Sequence, residues 1–143
     1  MKKLVILFLA LQVLISCSIE PSDIDYGKDA CHYCKMTIVE TTHAAQIVTK
    51  KGKPYKYDAI ECLLNDFENR EEKDIALFLV TDYLTPKKLI DAKTATYLIS
   101  EEIQSPMGAN LSAFEFKENA AKYAKNDKDK IFDWTEIQNH FFK

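Results

Sequence analysis

The sequence predicts an α+β fold made of two similar ββαβ halves, about 29–80 and 81–143, and three observations carry that expectation. Two short strand-like runs, Ala44–Thr49 and Tyr55–Tyr57, flank a turn signal at Gly52 and read as a hairpin. Ile60, Leu63, Leu64 and Phe67 follow at helical spacing. The second half then repeats the outline: Phe114-Glu-Phe116 leads into an Ala-rich helix much as Tyr55-Lys-Tyr57 leads into the first.

Taken in order, Ser18–Lys28 is polar, carries Pro21 and Gly27, and reads as a flexible tether. Met36–Thr41 is rich in β-branched residues. Asp58 stands where a helix N-cap is wanted, and Glu61 three residues later suggests a capping box. Glu68–Asp74 is a charged run, read as a solvated linker. Ile75–Val80 is continuously apolar and predicts a buried strand. Thr96–Ser100 predicts another strand, Ser105–Gly108 a loop, Glu118–Lys125 a helix, and Lys130–Trp134 a closing strand. Thr135 is the expected cap of a last helix to Phe142.

The chain has 143 residues with 19 Lys+Arg against 22 Asp+Glu, a net charge of −3. That balance argues against broad electrostatic binding of nucleic acid. The motifs of serine hydrolases, zincins and P-loop proteins are missing, so catalysis is not expected.

The first residues read as a processing signal. Lys2 and Lys3 precede Leu4–Ile15, a run broken only by Gln12 and too short to span a bilayer. It ends in Leu14-Ile15-Ser16-Cys17, which resembles a bacterial lipobox. Cleavage after residue 16 and lipidation of Cys17 are expected, giving an extracytoplasmic, membrane-anchored protein on the periplasmic face. The rest of the chain is long enough to bury a core without disulfides.

Cys31-His32-Tyr33-Cys34 is the pattern with chemical content. Outside the cytoplasm it admits a strained local disulfide, half of a zinc site, or a soft-metal site. No second C-x-x-C or H-x-x-x-H supplies the remaining zinc ligands. Met36 favours the third reading. In an extended chain it shares a side with Cys34, and thiolate plus thioether suits Cu(I). Met107 lies between Pro106 and Gly108 in a polar loop, where a packing role is less natural. Cys62 sits among Ile60, Leu63 and Leu64 and is read as a buried small hydrophobe. Asp58 is explained by capping, and Tyr55, Tyr57, Phe114 and Phe116 by core packing. A thioredoxin-type redox protein using Cys31 and Cys34 is the main alternative, although it needs a helix where Thr37-Ile38-Val39 stands. A binding module with a structural disulfide is the other.

Taken together, C-x-x-C-x-M-x-I, A-A-Q-I, a Gly turn, Y-x-Y-D opening a helix, and P-M-G followed by A-F resemble the NosL family over Cys31 to about Phe116. The lipobox fits as well. The resemblance implies a fold of two related ββαβ halves and a lipoprotein copper chaperone that accompanies nitrous oxide reductase and its maturation machinery. It implies Cu(I) as cargo, with Cys34, Met36 and Met107 as ligands. Cys31, His32 and His43 are candidate auxiliary ligands, for which a structural role or simple exposure is the plainer reading. The family commonly has Gly after the second Cys; here Lys35 takes that place and puts a positive charge beside the site.

Overall fold

The computed structural model describes residues 19–142. The expected leader 1–16 and the lipidation site Cys17 lie outside the described residues. The elements are β1 (Ala45–Thr49), β2 (Pro54–Tyr57), α1 (Ile60–Phe67), β3 (Ile75–Thr81), β4 (Leu89–Asp91), β5 (Thr96–Ile99), β6 (Leu111–Phe114), α2 (Lys117–Tyr123), β7 (Lys130–Phe132) and α3 (Trp134–Phe141). The fold is α+β, with two antiparallel sheets in strand orders β2-β1-β3-β4 and β6-β5-β7.

The repeat is visible in those orders. In each half a hairpin is followed by a helix, and the next strand returns to the free side of the hairpin's first strand. Gly52, at φ 76°, supplies the left-handed position in the first hairpin turn. Strand β4 extends the first sheet beyond its repeat unit by pairing with β3.

The halves share one core. Ile47, Tyr57, Leu63, Phe78 and Val80 from the first half pack with Tyr97, Leu111, Trp134 and Ile137 from the second. Leu98, Ile103, Phe114 and Ala120 form a smaller cluster that includes α2. Asp82 makes a parallel bridge with Ala113, and Tyr83 N–H donates to the Ala113 carbonyl at 2.8 Å, so backbone hydrogen bonds also tie the segment that follows β3 to β6 of the second sheet.

Several local expectations are corrected. Ala59 is the N-cap of α1, with no side-chain cap; Asp58 and Glu61 are buried instead. The last helix is capped by Asp133, not Thr135. The Asp133 carboxylate accepts from Glu136 N–H at 2.8 Å, and Glu136 accepts from Asp133 N–H at 2.9 Å. The run 36–41 contributes only an isolated bridge between Thr37 and Ala30.

The segment read as a tether to residue 28 is docked from Ser22 onward. Gln46, fully buried on β1, accepts from Ser22 N–H at 2.8 Å and donates to the Ser22 carbonyl at 2.7 Å. A buried amide needs such partners. Ile24 and Tyr26 then pack against the core, which apolar side chains in a polar-looking stretch can do.

Candidate metal centre

The C-x-x-C segment forms a tight loop closed by the Ala30–Thr37 bridge. Cys31 N–H donates to the Met36 carbonyl at 2.8 Å, and Lys35 N–H to the Cys31 carbonyl at 3.1 Å. The loop lies along β2, because His32 N–H donates to the Lys56 carbonyl at 2.8 Å. Strand β2 runs through Asp58 and Ala59 into α1, so the first turn of that helix comes beside the loop. The result is a group of three sulfurs: the Sγ atoms of Cys31, Cys34 and Cys62 lie within 4.8 Å of one another, all as free thiols. Cys31 and Cys62 are buried and Cys34 is half-buried.

The thiols do not share charge evenly. Cys31 is held down to about 5, chiefly by the hydrogen bond from the Cys62 thiol and further by the amides of Asp58 and Cys34. Cys62 is pushed up by that same hydrogen bond with Cys31 and by burial. Burial also raises Cys34. Asp58 is raised by burial and then by the Cys31 charge, and its Oδ1 makes no hydrogen bond. The hydrogen bonds among the three thiols thus favour thiolate character at Cys31 over Cys34 and Cys62. A soft cation entering it would gain sulfur ligands and displace protons.

Lys35 sits at φ 67°, so Cys34 to Met36 is a turn and not the extended stretch expected from sequence. Its Nζ donates to the His32 carbonyl. A left-handed non-glycine residue costs roughly 1–2 kcal/mol. Lys35→Gly is expected to raise stability by up to about 1 kcal/mol, less the lost ammonium contact, read as an upward shift of the urea midpoint.

The other expected ligands divide. Met36 and Met107 are both exposed. His32 packs its ring 4.5 Å from that of Tyr55 and lies outside the thiol group. Burial lowers its pKa, and Lys35, Arg70 and Lys53 lower it further. His43 is buried with both ring nitrogens occupied: Nδ1 is 2.9 Å from Thr42 Oγ1 and Nε2 is 3.1 Å from Ser112 Oγ. It fastens the start of the first sheet to β6 and lies outside the group of three thiols.

Glu61 was outside every sequence-based ligand set, yet it ties the Met107 loop to the thiol-bearing helix. Its Oε1 accepts from Ser105 Oγ, and that same oxygen of Ser105 accepts from Asn110 N–H at 2.9 Å. Gly108, at φ 80°, completes the turn by donating its N–H to the Ser105 carbonyl at 3.0 Å. Glu61 immediately precedes Cys62, so the loop is held to the first turn of α1.

Glu61 Oε2 has no hydrogen-bond partner, and burial raises the carboxyl pKa, offset in part by Ser105 and nearby amides. A raised folded-state pKa means that the carboxyl's stabilising contribution is complete below its ordinary value of 4.5 and is lost as pH rises through the folded value. Glu61→Gln is therefore expected to gain stability over wild type with rising pH. Urea unfolding on either side of that window checks the sign.

Cys62 is the functional candidate that the sequence reading set aside. It is buried as expected, but among thiols as well as aliphatic groups. Its only sequence signal is its place in the first turn of the helix that follows the hairpin.

Two ββαβ repeats around a common core, with three thiols gathered at the first repeat's helix, define a thiol-centred α+β domain equipped to hold a soft metal ion. The NosL family model matches residues 23–142, and the chain belongs to the NosL family. Among solved structures, one described as the copper chaperone NosL from Shewanella denitrificans superposes with a TM-score of 0.72 at 20% identity. The match covers 84% of this chain and 96% of that one. No curated protein matches the chain.

Proposed function

We propose that this protein is a membrane-anchored extracytoplasmic metallochaperone that holds Cu(I) and delivers it for assembly of the copper centre of nitrous oxide reductase. The observation that carries the reading is the group of three thiols within 4.8 Å, with half-buried Cys34 leading out to exposed Met36. Thiolates and thioethers are soft donors that suit Cu(I) better than oxygen-seeking cations. Family membership and the likeness to a structure named as a copper chaperone support the same cargo. Copper is carried and passed on by ligand exchange, so no catalytic residues are needed. Lipid on Cys17 would keep the domain at a membrane face, beside the export and maturation machinery that receives the metal.

Cu(I) titration of the reduced protein against a competing chelator tests the cargo, and mass measurement of the mature N-terminus tests the anchor. Transfer from the loaded protein to the apo-reductase or its maturation proteins tests the recipient. Reversible dithiol exchange without copper binding would favour the redox alternative. The geometry lends that alternative little support, because Cys31 and Cys34 lie in a bridged loop and not at the start of a helix.

A further inference from the structure

The three thiols can bond to one another as well as to a metal. Their Sγ atoms lie within 4.8 Å of one another, and no pair is joined. A disulfide closes two sulfurs to about 2.05 Å, a short travel for side chains already in contact. The sulfurs differ in access. Cys31 and Cys62 are 1% and 0% exposed, whereas Cys34 is half-buried and is the member of the group that a dissolved reagent can reach. They differ in readiness as well. The Cys62 thiol donates to Cys31, which gives Cys31 the thiolate character that disulfide exchange requires. The backbone separates the possible pairings. Cys31 N–H donates to the Met36 carbonyl and the Cys31 carbonyl accepts from Lys35 N–H, so a Cys31–Cys34 bond would close a small ring within a loop that is already held. Strained disulfides are the easily reduced ones. A Cys31–Cys62 bond instead joins the loop to the first turn of α1, encloses the first hairpin in its ring and lies in the interior. A larger ring restricts the unfolded chain more, which favours the bonded form of the folded protein.

Resting on the copper reading above, we infer that the thiol group is a redox latch on the cargo: a disulfide-bearing oxidant enters at Cys34, and oxidation ends as a buried Cys31–Cys62 disulfide that leaves too few sulfurs to hold copper. Cys34 gives its proton to solvent and attacks one sulfur of the oxidant. The oxidant's other sulfur leaves as a thiolate and takes a proton from solvent. Cys31 then attacks Cys34 Sγ and displaces the second half of the oxidant, which is protonated in the same way. Finally the Cys62 sulfur attacks Cys31 Sγ, and Cys34 leaves with the proton that Cys62 gives up. Two protein thiols are oxidised, one external disulfide is reduced to two thiols, and Cys34 is returned unchanged. Copper and the disulfide exclude each other, because the ion occupies the sulfurs that the bond consumes. Loaded protein resists oxidation, and oxidised protein lets the metal go.

Oxidised glutathione is the probe, added to the full chain kept free of metal and oxygen. Remaining thiols are then blocked with iodoacetamide in denaturant, and linked peptides are identified by mass spectrometry. The wild-type product is expected to be a Cys31–Cys62 bond with Cys34 alkylated. Cys34→Ser is expected to reach the same bond about tenfold or more slowly, since its two remaining sulfurs lie out of the oxidant's reach. Competition against bicinchoninate should show that oxidised wild type has lost more Cu(I) affinity than the roughly 100-fold that an outer-shell change costs at most. Reduction, followed by removal of the reductant, should restore it. Cu(I)-loaded wild type should form the disulfide about tenfold or more slowly than the metal-free protein. The inference is overturned if all three thiols remain open to alkylation, if the product is a Cys31–Cys34 bond with Cys62 free, or if the oxidised protein keeps its affinity. It is equally overturned if Cys34→Ser is oxidised at the wild-type rate. Mapping on the wild type decides the pairing even if the variant fails to fold. Failure of the copper reading itself is distinct: the reduced wild-type protein would then bind no Cu(I), whatever bonds its thiols form.

Discussion

Cys34→Ser is expected to lower Cu(I) affinity by more than the roughly 10–100-fold that a metal site loses when only an outer-shell partner is removed. Cys34 is a member of the thiol group and the half-buried link to the exposed methionine two residues on. Serine keeps the size of the side chain but replaces a soft, ionisable sulfur with a hard hydroxyl that stays protonated at neutral pH. Because Cys34 is only half-buried, the thermal midpoint should move little, and loss of affinity without loss of fold is the diagnostic pair of results. The pH dependence should carry a second signature. Burial raises Cys34, and the hydrogen bond with Cys31 raises Cys62, so loading copper at neutral pH must release protons. Wild-type affinity should therefore climb with pH, and the climb should be shallower in Cys34→Ser, which has one thiol fewer to deprotonate. Competition titrations at several pH values in a reducing buffer measure both.

The largest stability effect is expected at Trp134. Its ring centre lies 5.5 Å from Phe78 on β3, 6.0 Å from Tyr97 on β5 and 6.3 Å from Phe67 on α1. It is 8% exposed and opens α3, so it fills the junction where elements of both halves meet. Trp134→Ala removes that filling and should cost about 3–5 kcal/mol, the usual penalty for truncating a large buried aromatic. Trp134→Phe keeps part of the ring contact and should cost clearly less. Trp134 is the chain's one tryptophan, so unfolding of the variants must be followed by far-UV circular dichroism in place of fluorescence.

What the sequence could reveal follows from the range of the interactions involved. The first hairpin, α1 and β3 were legible because their periodicity and the Gly52 turn are encoded within a few neighbouring residues. The topological repeat was legible for the same reason, one half at a time. Caps were less so. Asp58 and Glu61 have the spacing of a capping box, yet tertiary contacts claim them: Glu61 turns to Ser105, and Asp58 is buried near the Cys31 thiolate. Asp133 takes the cap two residues before the expected Thr135, because β7 ends at Phe132 and Trp134 already opens the helix. At the site, Cys34 could be singled out from C-x-x-C and Met36. The meeting of Cys62 with Cys31 and Cys34 could not, because it depends on how the loop lies along β2 and on where α1 starts. His43 is joined to Thr42 and Ser112 through its two ring nitrogens, and the contact with Ser112 spans the two sheets, which the sequence alone does not show. Gln46 looked like one polar residue in a strand, and only its partner Ser22, far away in the chain, explains it.

That clasp between Ser22 and Gln46 holds the polypeptide to the first sheet from Ser22 onward. With an acyl group on Cys17, five peptide steps would separate the anchor from the clasp, a leash of roughly 18 Å at full stretch. The domain would then ride close against the headgroups, restricted in tilt as well as height. On that expectation the thiol group would stay within a domain's breadth of the bilayer.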